Sequence, residues 1–147
     1  MIIWGGLYGE YAASYMNNGG IYKPVCPALF YPSTVPDGSQ AGDNPLSVSL
    51  VGGLLHLEWD PACNATDYAV IAGDLSTLRD AGYNHTSLLC TTDGIPETIV
   101  NPAGNMLYFL IVPHNGTDEG SYGLDWQGNE HPPAASSCHA QNIGVCP

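Results

Sequence analysis

The stretch LSVSLVGGLLHLEWDP, residues 46–61, decides how the rest of the chain is read. Apolar and polar residues alternate on either side of Gly52-Gly53, the pattern of a β-hairpin with a two-residue turn. Val48 and Leu50 share one face of the first strand. Leu55, Leu57 and Trp59 share one face of the second.

Working toward the C-terminus, the same grammar repeats. DYAVIAGDL, residues 67–75, reads as a strand with Tyr68, Val70 and Ala72 turned inward. LSTLRDAG, residues 75–82, is short and helix-like and stops at Gly82. SLLCTT (87–92) and ETIVN (97–101) are strands. NMLYFLIVPHNG (105–116) is the most apolar run and is expected at the centre of a sheet. EGSYGLDWQG (119–128) reads as the last strand. Turn signals fall about every 8–12 residues, which predicts a β-sandwich.

Working toward the N-terminus, the pattern loosens. Residues 25–45 are Pro-rich and irregular and read as a covering linker, although ALFY (28–31) is apolar enough to pack on something. Residues 1–24, MIIWGGLYGEYAASYMNNGGIYKP, hold two apolar runs that each abut a Gly-Gly pair. Residues 1–4 and 19–22 are predicted to form a hairpin, which is marginal in water by itself.

Composition agrees with an all-β protein. The chain has 147 residues, 44% of them hydrophobic, enough for one ordinary domain with a core plus attachments. Its 18 Gly and 12 Pro exceed what long helices tolerate, and its 9 Tyr and 3 Trp favour strands. Lys23 and Arg79 are the only bases against 14 acidic residues, giving a net charge of -12. That excludes a cationic nucleic-acid face and attraction to anionic lipid. The charge serves solubility. No stretch has the length and apolarity of a membrane span.

Five cysteines and three N-x-T sequons, at Asn64, Asn84 and Asn115, point to an extracellular or cell-surface location and make those asparagines candidate glycosylation acceptors. No leader is visible at the start. The expectation is that Met1 follows a removed leader or begins a piece of a longer chain.

These residues carry a resemblance. Trp59, Tyr68 with Val70, Tyr108 with Leu110 and Val112, Asn115 and the turn 119–121 resemble, in order, the marks of a fibronectin type III sandwich. The closer likeness is to a divergent bacterial subtype at the ends of secreted multidomain proteins. It rests on Cys63, Cys90, EGSYG, GNEHP and the closing C-x7-C-P. It covers about residues 46–147, with the sandwich at 46–130 and a disulfide-closed tail at 131–147. The resemblance implies disulfides Cys63–Cys90 and Cys138–Cys146. Cys26 is then free, buried, or joined to another chain. Residues 1–24 resemble part of a kelch repeat, and the one hairpin present cannot close a propeller.

No catalytic constellation stands out. EGSYG lacks the G-x-S-x-G spacing of a nucleophile elbow. Glu58 and Asp60 lie two apart on a strand and could pair as carboxylates, but a solvated outer face opposite Trp59 accounts for them. His56, His85, His114, His131 and His139 lack the companions of a zinc site. Asp118, Glu119 and Asp125 leave calcium as the one cofactor to consider. Trp4, Tyr8, Tyr11, Tyr15 and Tyr22 could stack on sugars, although packing of the hairpin explains them as well.

The expected function is a non-enzymatic extracellular structural protein. It would be the subunit or globular head of a surface filament, assembled between copies or on a separate core chain. The contacts would come from Ile2, Ile3, Trp4, Ile21 and Tyr22, since an unpaired hairpin edge invites strand addition. The alternative is a glycan- or protein-binding accessory module of a secreted enzyme or adhesin. No nucleic acid and no membrane insertion are expected.

Overall fold

Gly52 and Gly53 both take positive φ, 61° and 87°, and close the expected hairpin in two residues. This conformation suits glycine and matches the twist of the flanking strands. The computed structural model describes residues 31–38, 42–101 and 106–143, with backbone alone at 79–81. The hairpin joins β1 (Ser47–Val51) to β2 (Leu54–Glu58). β3 (Asp67–Asp74) leads directly into α1 (Leu75–Ala81). Asp74 caps that helix by accepting the Ser76 amide at 2.7 Å, and Gly82 ends it at φ 82°. β4 (Thr86–Leu89), β5 (Glu97–Val100) and β6 (Leu107–His114) follow. Two short strands complete the described set, β7 (Asp118–Glu119) and β8 (Ala140–Gln141).

The strands form two sheets, β1-β2-β5 and β4-β3-β6-β7-β8. The second is strongly curled and mixed, because β8 runs parallel to β7 while the other pairs are antiparallel. β6 lies at its centre, as its apolar run predicts. One core fills the space between the sheets. Leu57 and Trp59 enter from β2 and its exit, Val100 from β5, Tyr68 and Val70 from β3, and Ile111 from β6. Trp59 meets Tyr68 edge-on at 5.3 Å between ring centres. Val35 joins this core, so the described part of the Pro-rich segment does pack on the sheets.

A second core lies on the other face of the five-stranded sheet. Ala69 and Ile71 of β3 and Val112 of β6 are covered there by Tyr122 and Ala134. β3 is therefore buried on both faces, which is why YAVI runs apolar without alternating. Full burial of each large aliphatic side chain contributes roughly 1.5–3 kcal/mol.

The C-terminal region departs from the sequence reading. EGSYGLDWQG is not a strand beyond Glu119. Gly120 sits so close to the Pro32 and Ser33 carbonyls that a Cβ would stand 2.7 Å from each oxygen. After it, the Glu130 carboxylate takes the Tyr122 amide at 2.5 Å and the Ser121 hydroxyl at 2.8 Å. Side-chain bonds here replace a strand partner.

The disulfide pairing is also corrected. Cys90 is bonded to Cys138, with Cα atoms 5.5 Å apart, and not to Cys63. The cause is the path of residues 132–136 beside β4, which brings Cys138 to the residue that follows that strand. Cys63 is disulfide-bonded as well. Cys26, Cys146 and the expected contact residues Ile2, Ile3, Trp4, Ile21 and Tyr22 lie outside the described residues, as do Tyr8, Tyr11 and Tyr15.

Candidate functional site: the edges of the two sheets

A two-residue turn makes Val51 and Leu54 the closing hydrogen-bonded pair of the hairpin. Alternation then turns the N–H and C=O groups of Ser47, Ser49 and Val51 toward β2, and those of Val48 and Leu50 away from it. Among the described residues, nothing pairs with this outer edge. The strand carries no charge and no proline. Val48 is 50% exposed, Leu50 71% and Val51 52%. The shared face of Val48 and Leu50, expected from the alternation, thus exists but overhangs the core.

β5, at the other side of the same sheet, is different. It begins with Glu97 directly after Pro96, and Glu97 faces His56 at 3.1 Å. Charge and proline beside an edge are the usual protection against further pairing.

β4, at one edge of the five-stranded sheet, is covered. The Ala135 amide donates to the His85 carbonyl at 3.2 Å. The Ser87 hydroxyl donates to the Ser136 carbonyl at 2.6 Å, and the Ser87 amide donates to the Ser136 hydroxyl at 3.3 Å. The Cys90–Cys138 bond anchors the covering segment just beyond.

Glu119, weighed for calcium, and His85 and His114, weighed for zinc, hydrogen-bond to this cover or to the strands beside it. Glu119 is fully buried. Its carboxylate accepts the Cys138 amide at 2.8 Å, the His139 amide at 3.1 Å and the Tyr122 hydroxyl at 2.5 Å. Burial, together with the bond to Glu119, pushes the Tyr122 hydroxyl well above the ordinary tyrosine range. His85 is buried against Tyr122, accepts from the Tyr108 hydroxyl at 3.1 Å and donates to the Pro132 carbonyl at 2.8 Å. His114 donates to the Cys90 carbonyl at 3.1 Å and accepts the Gly116 amide at 3.2 Å.

Asp67 is a second hub, which the sequence reading missed. One oxygen accepts the amides of Tyr68, Thr92 and Gly94 at 2.7, 2.9 and 3.0 Å, and the other accepts the Thr91 hydroxyl at 2.5 Å. Burial pushes its carboxyl up, but these donors more than offset that and hold it well below the usual carboxylate range.

Asp118, Glu119 and Asp125 do not converge, and each oxygen set has protein partners. No group of three or more His, Cys, Asp or Glu suited to a metal ion occurs among the described residues. Glu58 ends β2 exposed, while Asp60 accepts the backbone and side-chain N–H groups of Asn44. A cleft of 490 Å³ is lined by Val35, Pro36, Phe109, Ile111 and His131 among others. The His131 imidazole there faces the Tyr83 hydroxyl at 3.4 Å.

The three sequons differ in setting. Asn64 is half-buried in a tight turn at φ 60°. The Asn115 side chain caps the Thr117 and Asp118 amides. Asn84 is exposed just ahead of β4. Scans against protein-family models, curated proteins and solved structures find no match.

Proposed function

We propose that this chain is a non-enzymatic, extracellular structural module of the fibronectin type III kind, which assembles by accepting a β-strand from another copy at the open edge of β1. A heterologous contact of that type propagates, which suits the subunit or head of a surface filament. One observation carries the reading. β1 is an uncharged edge strand with three exposed apolar residues and no partner on its outer side among the described residues.

Other features support it. The first, second and fifth strands share one sheet, and the third and sixth share the other, as in immunoglobulin-like sandwiches. The Cys90–Cys138 bond suits an oxidising compartment. The buried Glu119, His85 and His114 have their hydrogen-bonding capacity taken up by structure.

Sedimentation velocity and negative-stain electron microscopy of the full chain test the proposal against a Val48→Lys/Leu50→Lys variant. The wild type associates into larger particles as concentration rises, and the variant stays monomeric. A wild type that remains a monomer at high concentration contradicts it.

A further inference from the structure

Trp126 is 90% exposed, although tryptophan usually hides most of its surface. The loop that carries it is nonetheless tightly tied. Leu124 and Glu130 bridge its base. The Asp125 amide donates to the Asn129 carbonyl at 2.8 Å, and the Gly128 amide donates to the Asp125 carbonyl at 3.0 Å. The Asp125 carboxylate accepts the Gln127 and Asn129 amides at 2.8 Å each and the Asn129 side chain at 3.0 Å. Glu130 fixes the return strand through Tyr122, Ser121 and Gln141. An indole held out from a rigid loop loses little freedom when a ligand covers it.

We propose that Trp126 is a stacking platform for a neutral carbohydrate. The indole face carries negative charge density, which attracts the polarised C–H groups on the flat side of a sugar ring. The chain's only bases are Lys23 and Arg79, and its net charge of -12 disfavours anionic glycans and anionic lipid surfaces. The residues beside Trp126 are Asp125 and Gln127, followed by Asn129 and Glu130. The centre of a protein interface is depleted of Asp and Glu. Trp126 lies on a different segment from β1, and the Val48→Lys/Leu50→Lys variant tells the two proposals apart.

The test is retention of the full chain on cellulose, chitin and starch, with tryptophan fluorescence as a second readout. Among the described residues the Trp126 side chain makes no hydrogen bond, and it is 90% exposed, so Trp126→Ala is expected to keep the wild-type far-ultraviolet dichroism. The wild type is retained on at least one of the three. Trp126→Ala loses about tenfold in affinity, and Trp126→Tyr keeps part of it. The Val48→Lys/Leu50→Lys variant is retained like the wild type. Absence of retention on all three, or equal retention of Trp126→Ala, overturns the proposal.

Discussion

Strands β4 and β1 are both short edge strands, and the chain treats them differently. β4 is closed by residues 132–136, by the side chains of Ser87 and Ser136, and by a disulfide one residue past its end. β1 has no such cover among the described residues, and no charge or proline of its own. An unpaired strand edge is a liability that folded proteins normally manage. Among the described residues one edge is closed with a covalent staple and the other is apolar and unpaired, and the proposed assembly uses the second. Location of an edge within the fold therefore says less than what the neighbouring chain does to it.

Breaking the cover on β4 should have the largest effect. Replacing Cys90 and Cys138 by serine opens a loop spanning 48 positions and should lower unfolding free energy by about 4 kcal/mol in urea titration. The double variant should also associate through β4, making the two edges alike. Glu119→Ala should cost about 3 kcal/mol, because the Cys138 and His139 amides and the Tyr122 hydroxyl lose one shared acceptor. Amide exchange should then rise first around residues 134–141.

Asp67 gives the acid limb of stability. Its folded carboxyl is held below the unfolded value of 3.8. Its contribution is full above that value and is lost as pH falls from there toward the folded pKa. Asp67→Asn should flatten stability against pH below about 4. Tyr122 works in the opposite direction. Its raised pKa contributes fully below pH 10, and the contribution is lost as pH rises above that.

Smaller changes sharpen the contrast. Ser136→Ala should cost about 1 kcal/mol. Val48→Lys with Leu50→Lys should leave monomer stability within about 0.5 kcal/mol of wild type, because both side chains are already solvated. The same pair should abolish association. Stability and assembly would thus be read from opposite edges.

The sequence disclosed the parts governed by local rules. The hairpin at 46–61 follows from alternation around Gly52-Gly53, α1 from its closing glycine, and the central place of β6 from its apolar run. Burial of β3 on both faces was legible in the unbroken YAVI, yet was read as one-sided. The C-terminal region was not legible, because its path is set by Glu119 and Glu130, whose partners lie up to twenty residues away and follow no period. Cys90–Cys138 belongs to the same class, since pairing among several cysteines depends on that path. The Trp126 loop did carry a local signal. Asp125 and Gly128 are turn residues, and alternation of the flanking apolar residues hid them.

The measurement that tests the central claim most directly is amide exchange by nuclear magnetic resonance at several protein concentrations. Val48 and Leu50 report the edge of β1, and Ala135 reports the cover of β4. The account predicts that the Val48 and Leu50 amides exchange freely in dilute solution and become protected as concentration rises, while Ala135 is protected throughout. Val48 and Leu50 rates that do not change with concentration would contradict it.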